Sequence, residues 1–119
     1  MARPHYRLEA WKVAMALVKH VYKVTRSFPQ EEIYELTSQM RRAAVSIPSN
    51  VAEGAARTGR KEFAQFLNVA SGSLSELETQ LLIAIDLGYL EQGHLVFSQV
   101  EEASALLAGL RRSIARQAT

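Results

Sequence analysis

The chain has 119 residues, 48% hydrophobic and 22% charged, with 14 Lys and Arg against 12 Asp and Glu for a formal net charge of +2. This is the length of one domain, with enough apolar material for a core, and the absence of cysteine excludes disulfides, thiolate metal sites and a thiol nucleophile. No segment approaches the ~18 apolar residues of a membrane span, and MARPHYRLEAWK has no apolar run of signal-peptide kind, so a cytoplasmic protein without membrane contact is expected.

Helix 1 is predicted over residues 8–26. Trp11, Met15, Val18 and Tyr22 form one stripe, and Ala10, Val13, Ala14, Leu17, Val21 and Val24 widen it. The apolar arc is roughly 200° wide, against the ~100° that a one-sided surface helix needs. Lys12, Lys19, Lys23 and Arg26 share the narrow remainder. A four-helix bundle has no central helix to bury so wide an arc, so a second copy is expected to cover part of it. Val13, Leu17, Val21 and Val24 are the candidate intersubunit residues.

SFPQEE separates this helix from helix 2, predicted over residues 30–56. Pro29, Glu31 and Glu32 suit a helix start, and Thr37 or Ser38 offers a second N-cap. Leu36, Met40, Ala43, Ala44, Ile47 and Val51 make the core stripe, with Gly54 on it and Asn50 at its edge. Pro48 removes a backbone donor in mid-helix, so a kink is expected, with Ser49 and Asn50 or a water near the freed carbonyls.

RTGRKE leads into helix 3, residues 60–87, whose stripe is Phe63, Phe66, Leu67, Ala70, Leu74, Leu77, Leu81 and Ile85. Small residues cluster on helix 2 (Ala43, Ala44, Ser46, Ala52, Gly54) and on helix 3 (Ala70, Ser71, Gly72, Ser73), which predicts a close crossing of the two. A turn centred near Thr58 and Gly59 sets Ser46 opposite Ala70–Ser73. The same register pairs Arg42 with Glu76 and Arg41 with Glu78, unless both are solvated charge faces.

LGYLEQGH precedes helix 4, residues 91–116, with Val96, Val100, Ala103, Leu107, Leu110 and Ile114 inward. There is no period-2 run, repeat or low-complexity segment. The expected fold is all-α: one antiparallel up-down-up-down four-helix bundle over residues 1–119.

No constellation of catalytic residues is present. Glu91-x-x-His94 has the spacing of a di-iron bundle ligand pair, but that site needs a second such pair and two further glutamates, and Gly93 interrupts this one. His5, His20 and His94 have no i, i+4 pairing. No serine elbow or phosphate-binding glycine loop occurs. No enzyme activity, metal site or cofactor is expected.

The charges are segregated instead. One pole of the bundle gathers Arg3, Arg7, Arg57, Arg60, Lys61, Arg111, Arg112 and Arg116 against Glu9, Glu53 and Glu62; the other holds Glu31, Glu32, Glu35, Asp86 and Glu91 with Lys23 and Arg26. In a ring of parallel copies the basic poles would form one positive face able to hold phosphate backbones without reading sequence. The alternative is ordinary helix-end charge. Tyr6 and Trp11 are thin support for single-strand stacking.

Four stretches carry a resemblance: WKVAMALV, VYKVTRSFPQEEIYELTSQMRRAAVSIPSNVAEG, FLNVASGSLSELETQL and DLGYL. Over residues 11–90 the chain resembles the bacterial four-helix-bundle family of 23S rRNA intervening-sequence proteins. The resemblance implies an antiparallel bundle in a ring-like homo-pentamer, with no catalytic residues. It also implies a structural signature comprising Arg41, Arg42, Pro48, Asn50, Glu53, Gly54, Gly72 and Glu76. Some relatives are encoded inside intervening sequences of ribosomal RNA genes. A related branch serves diversity-generating retroelements by binding nucleic acid and a reverse transcriptase. The functional expectation is an oligomeric bundle that associates with RNA or a nucleoprotein through its basic pole. The alternative is a protein-only assembly module or adaptor.

Overall fold

The computed structural model describes residues 3–117. It contains α1 (Glu9–Thr25), α2 (Leu36–Ala55), α3 (Arg60–Asp86) and α4 (Val96–Gln117), with 3-10 turns at Pro4–Arg7 and Gln30–Glu32, and no strand among the described residues. Each helix packs on its neighbours in the chain, α4 closes on α1, and the backbones of diagonally placed helices stay apart. Side-chain contacts fix the directions. Arg41 Nε donates to Thr25 Oγ1 at 2.9 Å, joining the end of α1 to the start of α2. The Ser46 and Ser73 hydroxyls meet at 2.8 Å, and Arg111 Nη2 donates to Asn68 Oδ1 at 2.7 Å. His20 Nδ1 lies 2.7 Å from Gln99 Oε1. Every adjacent pair is antiparallel, which is the expected bundle.

The core follows the expected stripes on three helices. Met40, Ala43, Ala44, Ile47 and Val51 are buried on α2, Phe63, Leu67, Ala70, Leu74, Leu77 and Leu81 on α3, and Val96, Val100, Ala103, Leu107 and Ile114 on α4. The inward face of α1 is Ala10, Ala14, Leu17, Val21 and Val24. Trp11 and Val18 are only half-buried, and Met15 and Tyr22 are exposed.

The close crossing of α2 and α3 is present. A Cβ built on Gly54 would stand 2.8 Å from both Phe63 Cδ1 and Phe66 Cβ, closer than any carbon pair tolerates. Ser46 falls opposite Ser73 as the register requires. Gly72 is corrected: it is exposed with open space where a Cβ would be, so it takes no part in the crossing. α2 continues through the buried Pro48. Asn50 Nδ2 donates to the Ser46 carbonyl at 2.8 Å and to its hydroxyl at 3.0 Å, tying the turn around the proline to the crossing.

Two helix starts differ from expectation. α2 begins at Leu36 rather than residue 30, and neither Thr37 nor Ser38 caps it, since both lie inside the helix. Residues 30–35 offer nothing to bury: Ile33 and Tyr34 face solvent, and Glu31, Glu32 and Glu35 repel one another. Only the 3-10 turn survives, with Glu32 Oε1 reaching the Leu36 amide at 3.4 Å. α4 begins at Val96 rather than residue 91, because Gly93 adopts φ +80° and His94 Nδ1 accepts the Val96 amide at 3.0 Å. α3 ends in a Schellman motif: Gly88 has φ +81°, Tyr89 N–H donates to the Ala84 carbonyl and Gly88 N–H to that of Ile85.

That motif aims Tyr89 at the α1–α2 connection, where its ring lies 5.4 Å from Phe28 and its hydroxyl donates to Glu32 Oε2 at 2.8 Å. The hydrogen bond to Glu32, followed by burial and the charges of Glu32 and Glu31, raises its pKa above the ordinary 10.0.

The two helical glycines should respond with opposite signs in urea titrations. Gly54→Ala is expected to cost about 1–3 kcal/mol by overpacking Phe66, whereas Gly72→Ala should gain about 0.5–1 kcal/mol of helix propensity. For Tyr89 the raised folded pKa means that the protonated phenol stabilises the fold. This contribution is fully present below the unfolded value of 10.0 and is lost as pH rises through the higher folded value. The stability difference between the parent and Tyr89→Phe should therefore shrink at strongly alkaline pH and be constant from neutral pH to about 9.

Candidate nucleic-acid interface

Four residues, 56–59, connect α2 to α3. Ala56 keeps helical angles, Arg57 N–H donates to the Gly54 carbonyl at 3.1 Å, and Gly59 turns extended as the N-cap of α3. No side chain caps α3, so its first amides face outward with the positive end of the helix dipole. The 3-10 turn Pro4–Arg7 folds against this connection. Pro4, Arg7, Arg57, Thr58, Gly59 and Arg60 line one concavity whose floor is Leu8, Ala55 and Phe63.

Three of the expected basic residues, Arg7, Arg57 and Arg60, therefore converge there. Arg57 is held in place: its Nη2 lies 3.3 Å from Glu53 Oε2, and its Cζ sits 4.9 Å over the Phe66 ring. That ion pair is exposed and adds little stability; its effect is to fix where the guanidinium stands. Lys61 follows on the exposed side of α3, and Arg3 is exposed at the edge of the 3-10 turn. Arg111 and Arg112 lie apart, along a second groove between α3 and α4 lined by Ala64, Asn68, Ala108 and Ala115. Arg116 is exposed on the last turn of α4.

Tyr6 and Trp11, named from the sequence beside the pole, are joined by His5 in one aromatic cluster. His5 packs edge-on against Tyr6 (4.8 Å) and Trp11 (5.0 Å), and Tyr6 lies 5.5 Å from Trp11. The spacing matches no helical period because the 3-10 turn folds back on α1.

The expected charge pairs between α2 and α3 are not formed. Arg41 turns the other way, donating to Thr25 and lying 4.6 Å over the Tyr22 ring of α1. Glu78 faces α4, so the Arg41–Glu78 pairing is corrected. Arg42 and Glu76 share a groove with Ser46 and Ser73, but make no ion pair with each other. Glu76 instead takes a long contact of 3.4 Å from Gln80.

The candidate intersubunit set is also corrected. Leu17 and Val21 are 0% exposed and Val24 is buried, all inside the protomer's own core, with Val13 packed against it. The arc that remains uncovered is the other half, Trp11, Met15, Val18 and Tyr22. Among the described residues no group of three His, Asp or Glu converges, and His94 is occupied with the Val96 amide. Among the described residues no helix is long and apolar enough to cross a membrane.

A model of the family described as 23S rRNA-intervening sequence protein matches residues 6–109. No curated protein matches the chain.

Leu17→Glu should unfold the protomer rather than release intact ones, because an unpaired carboxylate at this position costs at least ~3 kcal/mol. Far-UV circular dichroism reads the outcome; retained helix content would place Leu17 outside the core.

Proposed function

For a chain that belongs to the 23S rRNA-intervening sequence protein family, we propose a non-enzymatic role in which the bundle self-associates and holds RNA, bare or in a nucleoprotein, against its basic pole. The observation that carries this reading is the convergence of Arg7, Arg57 and Arg60 on one concavity at the uncapped start of α3. Guanidinium forks match phosphate oxygens in pairs, and a helix N-terminus adds amide donors for the same anion. Lys61 and Arg3 extend the positive surface on either side. Contacts of this kind hold a backbone without reading sequence. The exposed edge of Tyr6, backed by His5 and Trp11, supplies one stacking surface for an unpaired base. The non-enzymatic reading rests on what the histidines do. His20 meets the Gln99 amide and His94 a backbone amide, so neither is set against a nucleophile or a carboxylate.

A second reading, a protein-only assembly module or adaptor, draws on the opposite pole. Tyr34 is 88% exposed and Leu95 75% exposed there, on the two connections that Tyr89 and Glu32 tie together. Large exposed apolar groups on connections that also carry the exposed Glu31, Glu35 and Glu91 suit a protein partner more than a phosphate backbone.

Fluorescence anisotropy with a short labelled RNA across a salt series separates the two. RNA affinity is expected to fall steeply with salt, and Arg7→Gln/Arg60→Gln should flatten the slope of log K against log salt by about 1–2 while leaving the thermal midpoint unchanged. An absence of RNA binding at low salt would overturn the basic-pole reading in favour of the adaptor.

A further inference from the structure

A hollow of about 380 Å³ lies beside the connection between α1 and α2, at the end of the bundle away from the basic pole. Small-molecule pockets usually measure roughly 300–1,000 Å³. This end of the bundle is rich in carboxylates, among them Glu31, Glu32, Glu35 and Asp86. Yet none of them lines the hollow, and its charged walls are Arg26 and Arg41. Glu32 is turned away to the Leu36 amide and the Tyr89 hydroxyl. Neither arginine forms an ion pair among the described residues.

Arg41 is held in one pose. Its Nε donates to Thr25 Oγ1 at 2.9 Å, and its Cζ lies 4.6 Å over the Tyr22 ring. Thr25 is fixed in turn: it is 3% exposed and donates to the Val21 carbonyl at 2.8 Å. With Nε engaged, the two Nη groups are the open edge of the guanidinium fork, and they make no hydrogen bond to any described residue. A half-buried cation without a counter-charge favours a charged acceptor. Thr37 adds a donor of another kind. It lines the hollow and is only 4% exposed, and its hydroxyl has no hydrogen-bond partner among the described residues. A buried hydroxyl left unmatched is costly until something accepts from it. Thr37 also stands in the first turn of α2, at the positive end of that helix's dipole.

The remaining wall is apolar, made by Phe28, Pro29 and Ile33. Phe28 is buried, whereas Ile33 is 46% exposed at the mouth. We propose that this hollow binds an organic carboxylate with a short aliphatic body. The carboxylate sits between the Arg41 Nη groups, Arg26 and the Thr37 hydroxyl, and the body covers Phe28, Pro29 and Ile33. A planar carboxylate matches the Nη edge with two parallel hydrogen bonds, and a bare phosphate would leave the apolar wall uncovered. A free small acid and the last residue of a peptide chain offer the same chemistry. The site is separate from the basic pole and does not rest on RNA binding.

Titration of the isotope-labelled full chain with N-acetyl-leucine, read by backbone amide shifts, tests it. Saturable shifts are expected at Phe28, Ile33 and Thr37, with Arg57 and Arg60 unmoved. N-acetyl-leucinamide, which lacks the charge, and inorganic phosphate, which lacks the body, should each bind at least about tenfold more weakly. Arg26→Gln and Ile33→Ser, both at exposed positions, should each weaken N-acetyl-leucine binding about three- to tenfold without moving the thermal midpoint. Arg41→Gln should abolish binding; if it proves unable to fold, the two exposed variants still decide. An absence of saturable shifts at these residues with millimolar N-acetyl-leucine would overturn the site. Equal binding of the amide would overturn the role given to the arginines, and equal binding of phosphate the role given to the apolar wall. An acetylated Ala-Ala-Leu peptide separates the two sources: tighter binding than N-acetyl-leucine supports the site as one for a chain end, and weaker binding supports it as one for a free acid.

Discussion

The close approach of α2 and α3 at Gly54 governs much of what the molecule presents. With no Cβ there, the two backbones near each other against Phe63 and Phe66, and a four-residue connection is enough to join them. The crossing fixes the register, and the register sets Ser46 against Ser73. The short connection then brings Arg57 and Arg60 to one rim, and Phe66 provides the ring that Arg57 lies over. A bulkier residue at position 54 would act first on packing and then, through the register, on the spacing of the pole's charges.

Most of this was legible because helix periodicity and small-residue clustering are local signals. The stripes of α2, α3 and α4 and the Ser46–Ser73 register could be read from residue spacing. The phase of α1 could not. An apolar arc of roughly 200° does not reveal which half turns inward. The choice falls to Thr25 and Phe28, which are buried beyond the reach of the pattern, and to the tie from Thr25 to Arg41. The early helix starts failed for a related reason. Charges and a proline favour a helical turn locally, but residues 30–35 and 91–95 bury too little apolar surface to extend it.

The pole was legible as a list of charges but not as a site. Topology alone collected eight basic residues; the fold divided them into Arg7, Arg57 and Arg60 around one hollow and Arg111 and Arg112 along another groove. Arg41 shows the same limit. Its level in the bundle was read correctly and its direction was not, because direction depends on competition between Glu78 and a hydroxyl and ring on α1. Side chains with several possible partners at one height are where sequence register stops being informative.

Neighbour-only packing also bears on how the chain reaches this state. Each helix meets the next across a short connection, and among the four helices only the closure of α4 on α1 joins segments distant in sequence. Such local topology belongs to the rapidly folding end of the range, where little loop entropy must be lost before contacts form. The α2–α3 hairpin, with the shortest connection, is the natural nucleus, and the α1–α4 seam is the last to zip. Transient openings of the native state should begin at that seam, where the Gln99 amide and the His20 ring form the hydrogen bond that spans it.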